Sequence, residues 1–162
     1  VIQLRARNIE DTRQIARALA KLLRARDMVV LAGDMGAGKT AFVSAAADAL
    51  GVGGDEHVSS PTFTLVHTYT SGKLPIHHAD LYRLELAGEV EDLGLREQAD
   101  MGAVVFVEWG NVAVDLLGEC LEITFEHDDE DDDARHINID VVGHGWDTRW
   151  DHLRSATQAW VA

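Results

Sequence analysis

"GDMGAGKT", residues 33–40, decides how the rest of the chain is read. It fits the pattern G-x-x-x-x-G-K-[ST], and each fixed position has a mechanical reason. Gly33, Gly36 and Gly38 can take positive φ and turn backbone amides inward as a nest for phosphate oxygens. Lys39 can then reach the β and γ phosphates of a nucleotide, and the Thr40 hydroxyl can ligate Mg²⁺. Upstream, "MVVLA" (28–32) is a short continuous apolar run of the kind a buried strand needs. Downstream, Val43, Ala46, Ala47 and Leu50 repeat at helical spacing and Gly51 supplies a stop, so a phosphate would sit at a helix N-terminus. A glycine turn that joins strand to helix and holds no ligand is the bland alternative, and the strand–loop–helix context disfavours it.

The chain has 162 residues and 46% hydrophobic content, which suits one globular domain spanning 1–162 with a real core. It shows no apolar stretch of transmembrane length and no signal-peptide pattern, so the expectation is a soluble, cytoplasmic protein. The lone Cys120 can form neither an internal disulfide nor a cysteine metal cluster and reads as a core thiol. The formal net charge is −14, from 28 acidic against 14 basic residues. Such a surface repels phosphate backbones, which argues against DNA binding and leaves RNA to be reached only through a partner. The densest acidic run, "EHDDEDDD" (126–133), reads as a solvated hairpin tip in preference to a metal site or docking patch.

Ile15, Ala18, Leu19, Leu22 and Leu23 form an amphipathic stripe, with Asn8 or Asp11 as cap, and predict a helix over about residues 11–25. "SPTFTLVHTYT" alternates, with Phe63, Leu65, His67 and Tyr69 on one face and the threonines with Val66 on the other. The turn "SGK" and the segment "LPIHHAD" make 61–80 a hairpin. A helical stretch near 85–100 leads to "AVVFVEW", a second buried-strand run. Strands "CLEITFE" and "ARHINIDVV" flank the acidic run. Trp146, Trp150, Leu153 and Trp160 stripe a C-terminal helix placed at 147–162.

Two strands therefore end in carboxylates, Asp80 and Glu108, and the glycine loop ends a third. Acids at strand C-termini lie beside the phosphates in a sheet of this kind, where one can hold Mg²⁺ and the other can orient an attacking water. Spacing alone does not divide these two roles between them. His78 and Asp80 form an H-x-D pair, which could begin an iron site but would leave the phosphate loop without a purpose; His78 could equally be a hydrogen-bonded structural histidine. Thr62, in the segment "SPT", can sense a γ-phosphate as switch segments do, or can be there for β-propensity alone.

The ordered set "GDMGAGKT", "SPTFTLVHTY", "HADLYRL", "EDLGL" and "VFVEWG" resembles one family, the bacterial TsaE ATPases of tRNA threonylcarbamoyladenosine (t6A) synthesis, over roughly residues 5–145. The resemblance implies a single-domain, three-layer α/β P-loop NTPase fold with a mixed parallel and antiparallel sheet. It implies ATP and Mg²⁺ as cofactors, slow hydrolysis by the isolated chain, and association with the TsaB and TsaD proteins, through which tRNA is reached. Carried onto this sequence, it assigns Gly36, Ala37, Gly38, Lys39, Thr40 and Ala41 to the phosphates, and Thr40 with Glu108 to magnesium. Lys39, Asp80, Glu108 and Thr62 become the catalytic set. Trp109 packs next to the site, the adenine lies near Ile9 and Thr12, and the hairpin at Arg135 closes over the nucleotide. Ala41 departs from the family, which commonly has a second threonine there, so a hydroxyl contact to phosphate is lost while the backbone amide remains.

A small-molecule kinase is the rival from another class, since a phosphate loop and two carboxylates also suit phosphoryl transfer. Such an enzyme usually closes an arginine-bearing lid, and the middle and end of the chain offer few candidates beyond Arg83, Arg96 and Arg135. None of the three lysines sits in an N-K-x-D guanine-reading motif, which disfavours a GTPase. A binding module that retains the loop without chemistry is the third possibility, and intact Lys39, Thr40, Asp80 and Glu108 argue against it.

Overall fold

The apolar run ahead of the glycine loop becomes the second strand of a seven-stranded sheet, and the other six strands position the loop. The computed structural model describes residues 1–34, 36–53, 56–59, 66–81, 91–109 and 117–162. In chain order these contain β1 (Ile2–Ala6), α1 (Ile9–Ala20), β2 (Met28–Gly33), α2 (Lys39–Ala49), β3 (Val66–Tyr69), β4 (Ile76–Asp80), α3 (Leu95–Asp100), β5 (Val104–Glu108), β6 (Cys120–His127), β7 (Arg135–Val142) and α4 (Trp150–Ala156). A short 3₁₀ turn, Gln158–Trp160, follows. The sheet order is β1-β7-β6-β2-β5-β4-β3. β2 pairs in parallel with both β5 and β6, and β4 pairs in parallel with β5. Antiparallel pairs β1–β7, β6–β7 and β3–β4 complete the two flanks. The expected mixed sheet is present.

Alternation along each strand sorts the core into two layers. Val29 and Leu31 of β2, Ile76 of β4, Val104 and Phe106 of β5, and Leu121, Ile123 and Phe125 of β6 pack with α1 and α2. Met28, Val30, Ala79, Val105 and Val107 face the other way, towards Leu95 and Ala99 of α3. Continuous burial of all five β5 residues follows from being covered on both faces, as parallel strands normally are. The parity that points Phe106 at α2 also points Glu108 there, one step further along at the strand's C-terminal end.

Several boundaries differ from the sequence expectation for identifiable reasons. α1 begins at Ile9 because the Asn8 side chain accepts the Asp11 amide at 2.9 Å, and it stops at Ala20, short of residue 25. Beyond it, the Arg24 amide donates to the Asp27 carboxylate and Arg149 takes the Leu22 carbonyl, so tertiary partners replace the last helical turn. The C-terminal helix is shorter than 147–162. Trp146 precedes it in a turn held by Arg149 bonding to the Gly145 carbonyl and Asp27, and Thr157 ends it by returning its hydroxyl to the Leu153 carbonyl. The chain then bridges Val161 to Leu4 at the outer edge of β1. The acidic run covers the end of β6 and the turn to β7, and its residues are exposed apart from Asp128. Cys120 is buried, as read, and burial pushes its thiol up to about 11. Among the described residues no helix is long and apolar enough to cross a membrane.

Candidate functional site

The glycine loop leaves β2 between two parallel neighbours, β5 and β6, the place where α/β sheets hold ligands. Gly33 has φ +142°, and a Cβ there would lie 2.5 Å from the Phe125 carbonyl oxygen on β6, so only glycine fits this exit. Gly38 has φ +107° and stands as the N-cap of α2 without a side-chain cap. The first-turn amides of α2 are therefore free of side-chain competition, which is what anion binding at a helix N-terminus requires.

Lys39 and Thr40 open α2 and project to the C-terminal ends of the strands. The Lys39 ammonium donates to the Asp34 carbonyl at 2.8 Å and also to that of Gly33. It lies 3.6 Å from the centroid of the Trp109 ring. Burial lowers its pKa, opposed by the charges of Glu108, Asp80 and Asp34. The Thr40 hydroxyl donates to Glu108, 3.0 Å from Oε1 and 3.1 Å from Oε2. Strand register brings Asp80 directly beside Glu108, and both carboxylates are about 95% buried or more, at 5% and 3% exposure. A buried carboxylate is costly unless hydrogen-bonded, and Glu108 is satisfied from two sides: Thr40 above, and His78 Nε2 at 2.5 Å.

Trp109 has φ +66°, in the left-handed region where a bulky residue is strained by on the order of 1–2 kcal/mol. Its amide donates to the Leu31 carbonyl at 2.7 Å, which ties the strained residue to β2 and keeps the ring against Lys39. On the other side of the loop a pocket of about 320 Å³ is lined by Asn8, Ile9, Thr12, Gly36, Ala37, Asp133 and Arg135. Arg135 Nη2 donates to the Gly36 carbonyl at 3.4 Å, joining the β6–β7 hairpin to the loop. A pocket of this volume is in the range of small-molecule sites.

The donor set matches a phosphate with a hard divalent cation: a glycine cradle, an ammonium, a hydroxyl and two carboxylates, all oxygen donors where a metal would sit. Among the described residues no group of three or more His, Cys, Asp and Glu side chains is arranged to hold a metal by itself.

Comparison with known proteins assigns the family. Residues 6–137 match the model of the family described as threonylcarbamoyl adenosine biosynthesis protein TsaE. A curated relative of that name from Bacillus subtilis is 37% identical over 153 residues, covering 94% of this chain and 93% of the relative. One from Streptomyces coelicolor is 40% identical over 142 residues, covering 84% and 94%. A crystal structure of Bacillus subtilis YdiB superposes with a TM-score of 0.78 at 31% identity, covering 95% of this chain and 94% of that one. The chain belongs to the TsaE family.

Most site residues expected of a TsaE protein converge in this chain. Gly36, Ala37, Gly38, Lys39, Thr40 and Ala41 form the loop and the first turn of α2, and Asp80, Glu108 and Trp109 surround it. Ile9 and Arg135 meet in the pocket beside the loop. Thr62 lies outside the described residues, as does Arg83. Arg96 is remote from the loop: it packs beside Met28 at the opposite end of β2 and donates to the Leu117 and Glu119 carbonyls. It is a strut for the start of β6, not a lid arginine. The residue that sequence reasoning left open is His78. Its H-x-D spacing carried a usable signal, since a histidine two positions before a strand-end acid faces the same side as that acid and as its neighbour across the register.

Proposed function

We propose that the chain is an ATPase that supports the t6A modification of tRNA, using its nucleotide state to control association with the TsaB and TsaD proteins. The observation that carries the enzymatic part is the Thr40–Glu108 contact, which joins the first turn of the phosphate loop to a buried strand-end carboxylate. That pairing is what a magnesium-nucleotide site needs: the hydroxyl keeps lone pairs for the cation while its proton is held by the acid. Thr40 and Glu108 would hold Mg²⁺, which would supply positive charge against the charge that develops on the phosphates.

The residues divide the remaining work. Gly36, Ala37, Gly38 and Ala41 offer backbone amides to the phosphates, and Lys39 leaves its two carbonyl acceptors to meet them. Thr40 and Glu108 hold magnesium. Asp80, beside Glu108, orients the attacking water, and Thr62 senses the γ-phosphate. Ile9 packs on the adenine while Arg135 closes the side of the pocket. Trp109 exchanges its cation contact with Lys39 for a neighbouring nucleotide, which makes it a reporter of binding. The acidic surface keeps the chain off tRNA except through its partners.

Phosphate release from Mg·ATP, measured for the chain alone and with TsaB, TsaD and tRNA, tests this reading. Turnover should be slow alone and rise with the assembly, and pull-downs should differ between ATP and ADP, because only a difference in affinity couples hydrolysis to association. Efficient phosphorylation of a metabolite by the chain alone would point to the kinase class instead.

A further inference from the structure

His78 is wholly buried and lies on β4 directly behind Asp80, on the same face. Parallel register pairs His78 with Phe106 and Asp80 with Glu108, so the imidazole reaches Glu108 from the interior of the sheet while Thr40 reaches it from α2. The two donors treat the carboxylate differently. Thr40 Oγ1 is almost equidistant from Oε1 and Oε2, at 3.0 and 3.1 Å. His78 Nε2 contacts Oε2 alone, at 2.5 Å. The other ring nitrogen, Nδ1, is buried with no hydrogen-bond partner among the described residues.

That asymmetry fixes the roles. Where the carboxylate oxygen accepts, Nε2 carries the proton, and in the neutral imidazole Nδ1 then presents a bare lone pair. The reverse tautomer would bury an orphaned N–H, the rarer and costlier arrangement. An imidazole held by strand packing is a rigid donor, whereas the free carboxylate of a glutamate rotates readily. We propose that His78 is a positioning residue: it pins Oε2 of Glu108 and leaves Oε1, the oxygen it does not hold, for the divalent cation. This rests on the magnesium-nucleotide reading above. A merely structural histidine would satisfy the buried acid without setting how tightly the cation is held.

The test is a Mg²⁺ titration of the full chain at fixed ATP, read by tryptophan fluorescence, with ATP affinity in EDTA measured beside it. His78→Leu should raise the Mg²⁺ concentration needed by about 10- to 100-fold, the usual effect of removing a group that orients a metal ligand. Its ATP affinity in EDTA should stay within about twofold, since RT ln 2 is well under one hydrogen bond. His78→Gln, whose amide can stand near the Nε2 position, should recover most of the Mg²⁺ response, and His78→Asn, whose amide is too short, should not. The Gln and Asn pair decides the matter if the leucine variant does not fold. A leucine variant with the parent's Mg²⁺ response, or glutamine and asparagine variants that behave alike, would overturn the positioning role. A parent chain that binds ATP with no Mg²⁺ dependence would instead remove the magnesium reading on which it rests.

Discussion

Two acidic regions of the chain behave in opposite ways. The run at the end of β6 and in the turn to β7 holds seven carboxylates among eight residues, 126–133, yet all are exposed except Asp128. Asp80 and Glu108 are isolated in the sequence and nearly inaccessible in the fold. The turn uses its carboxylates locally: Asp128 Oδ1 accepts the Glu130 and Asp131 amides at 2.9 and 3.1 Å, and Asp131 accepts the Asp133 amide at 3.0 Å. Solvent screens the rest. At the strand ends, burial and a shared register set two ordinary acids side by side next to the glycine loop, which is distant in sequence. Density of charge therefore carries less chemical meaning here than where the backbone puts a charge.

The contrast can be broken at either end. Glu108→Gln keeps the shape and an acceptor for His78 but removes the charge, and should cut Mg²⁺-dependent turnover by about 100-fold. Asp80→Asn should cut turnover by a similar order, about 100-fold, while leaving ATP binding in place. Phosphate-release assays with the partner assembly check both, and parent-like rates would strip the acids of these roles. Lys39→Ala removes a charge-assisted bond worth about 1.5–3 kcal/mol and should weaken Mg·ATP binding by roughly 10- to 100-fold in calorimetry. Unchanged affinity and turnover would take Lys39 out of the site.

Asp128 differs from its neighbours in the acidic run because its carboxylate also reaches outside the turn, to Arg5 and His136. The Glu130 amide, then Arg5, hold its carboxyl down at about 2, against an ordinary 3.8. A depressed acid contributes stability that is present above its unfolded pKa and lost as pH falls through the folded one. The urea midpoint of the parent should therefore exceed that of Asp128→Asn at neutral pH, and the gap should close between about pH 4 and pH 2. A gap that persists unchanged below pH 2 would assign the stabilisation to something other than this ionisation. The smallest effect belongs to the exposed acids. Replacing Asp129, Glu130 and Asp132 together by their amides should leave Mg·ATP turnover within about twofold, because screened surface charges contribute little. A large loss would make the acidic turn part of the site after all.

The strand–loop–helix unit was legible because its glycines, apolar run and helical spacing are local, and so was the identity of the two strand-end acids. Register was not. Nothing in "LPIHHAD" or "AVVFVEW" taken separately says that Asp80 stands beside Glu108 or that His78 donates to it, since strand pairing depends on contacts between distant segments. Helix ends were misplaced at 25 and 147 for the same reason: Arg149 closes on the Leu22 carbonyl and Asp27, more than 120 residues away, and outweighs the local periodicity. Trp109 could be named as a neighbour of the site, but its positive φ, which turns the ring onto Lys39, has no sequence signature in a non-glycine residue.

If the buried acids and the loop together form a magnesium-nucleotide site, Mg²⁺ must change the affinity for ATP. Calorimetric titration of ATP into the full chain, once with Mg²⁺ and once with EDTA, tests it most directly. The site built from Lys39, Thr40 and Glu108 predicts binding that is markedly tighter with Mg²⁺. No binding in either buffer, or the same affinity in both, would contradict it.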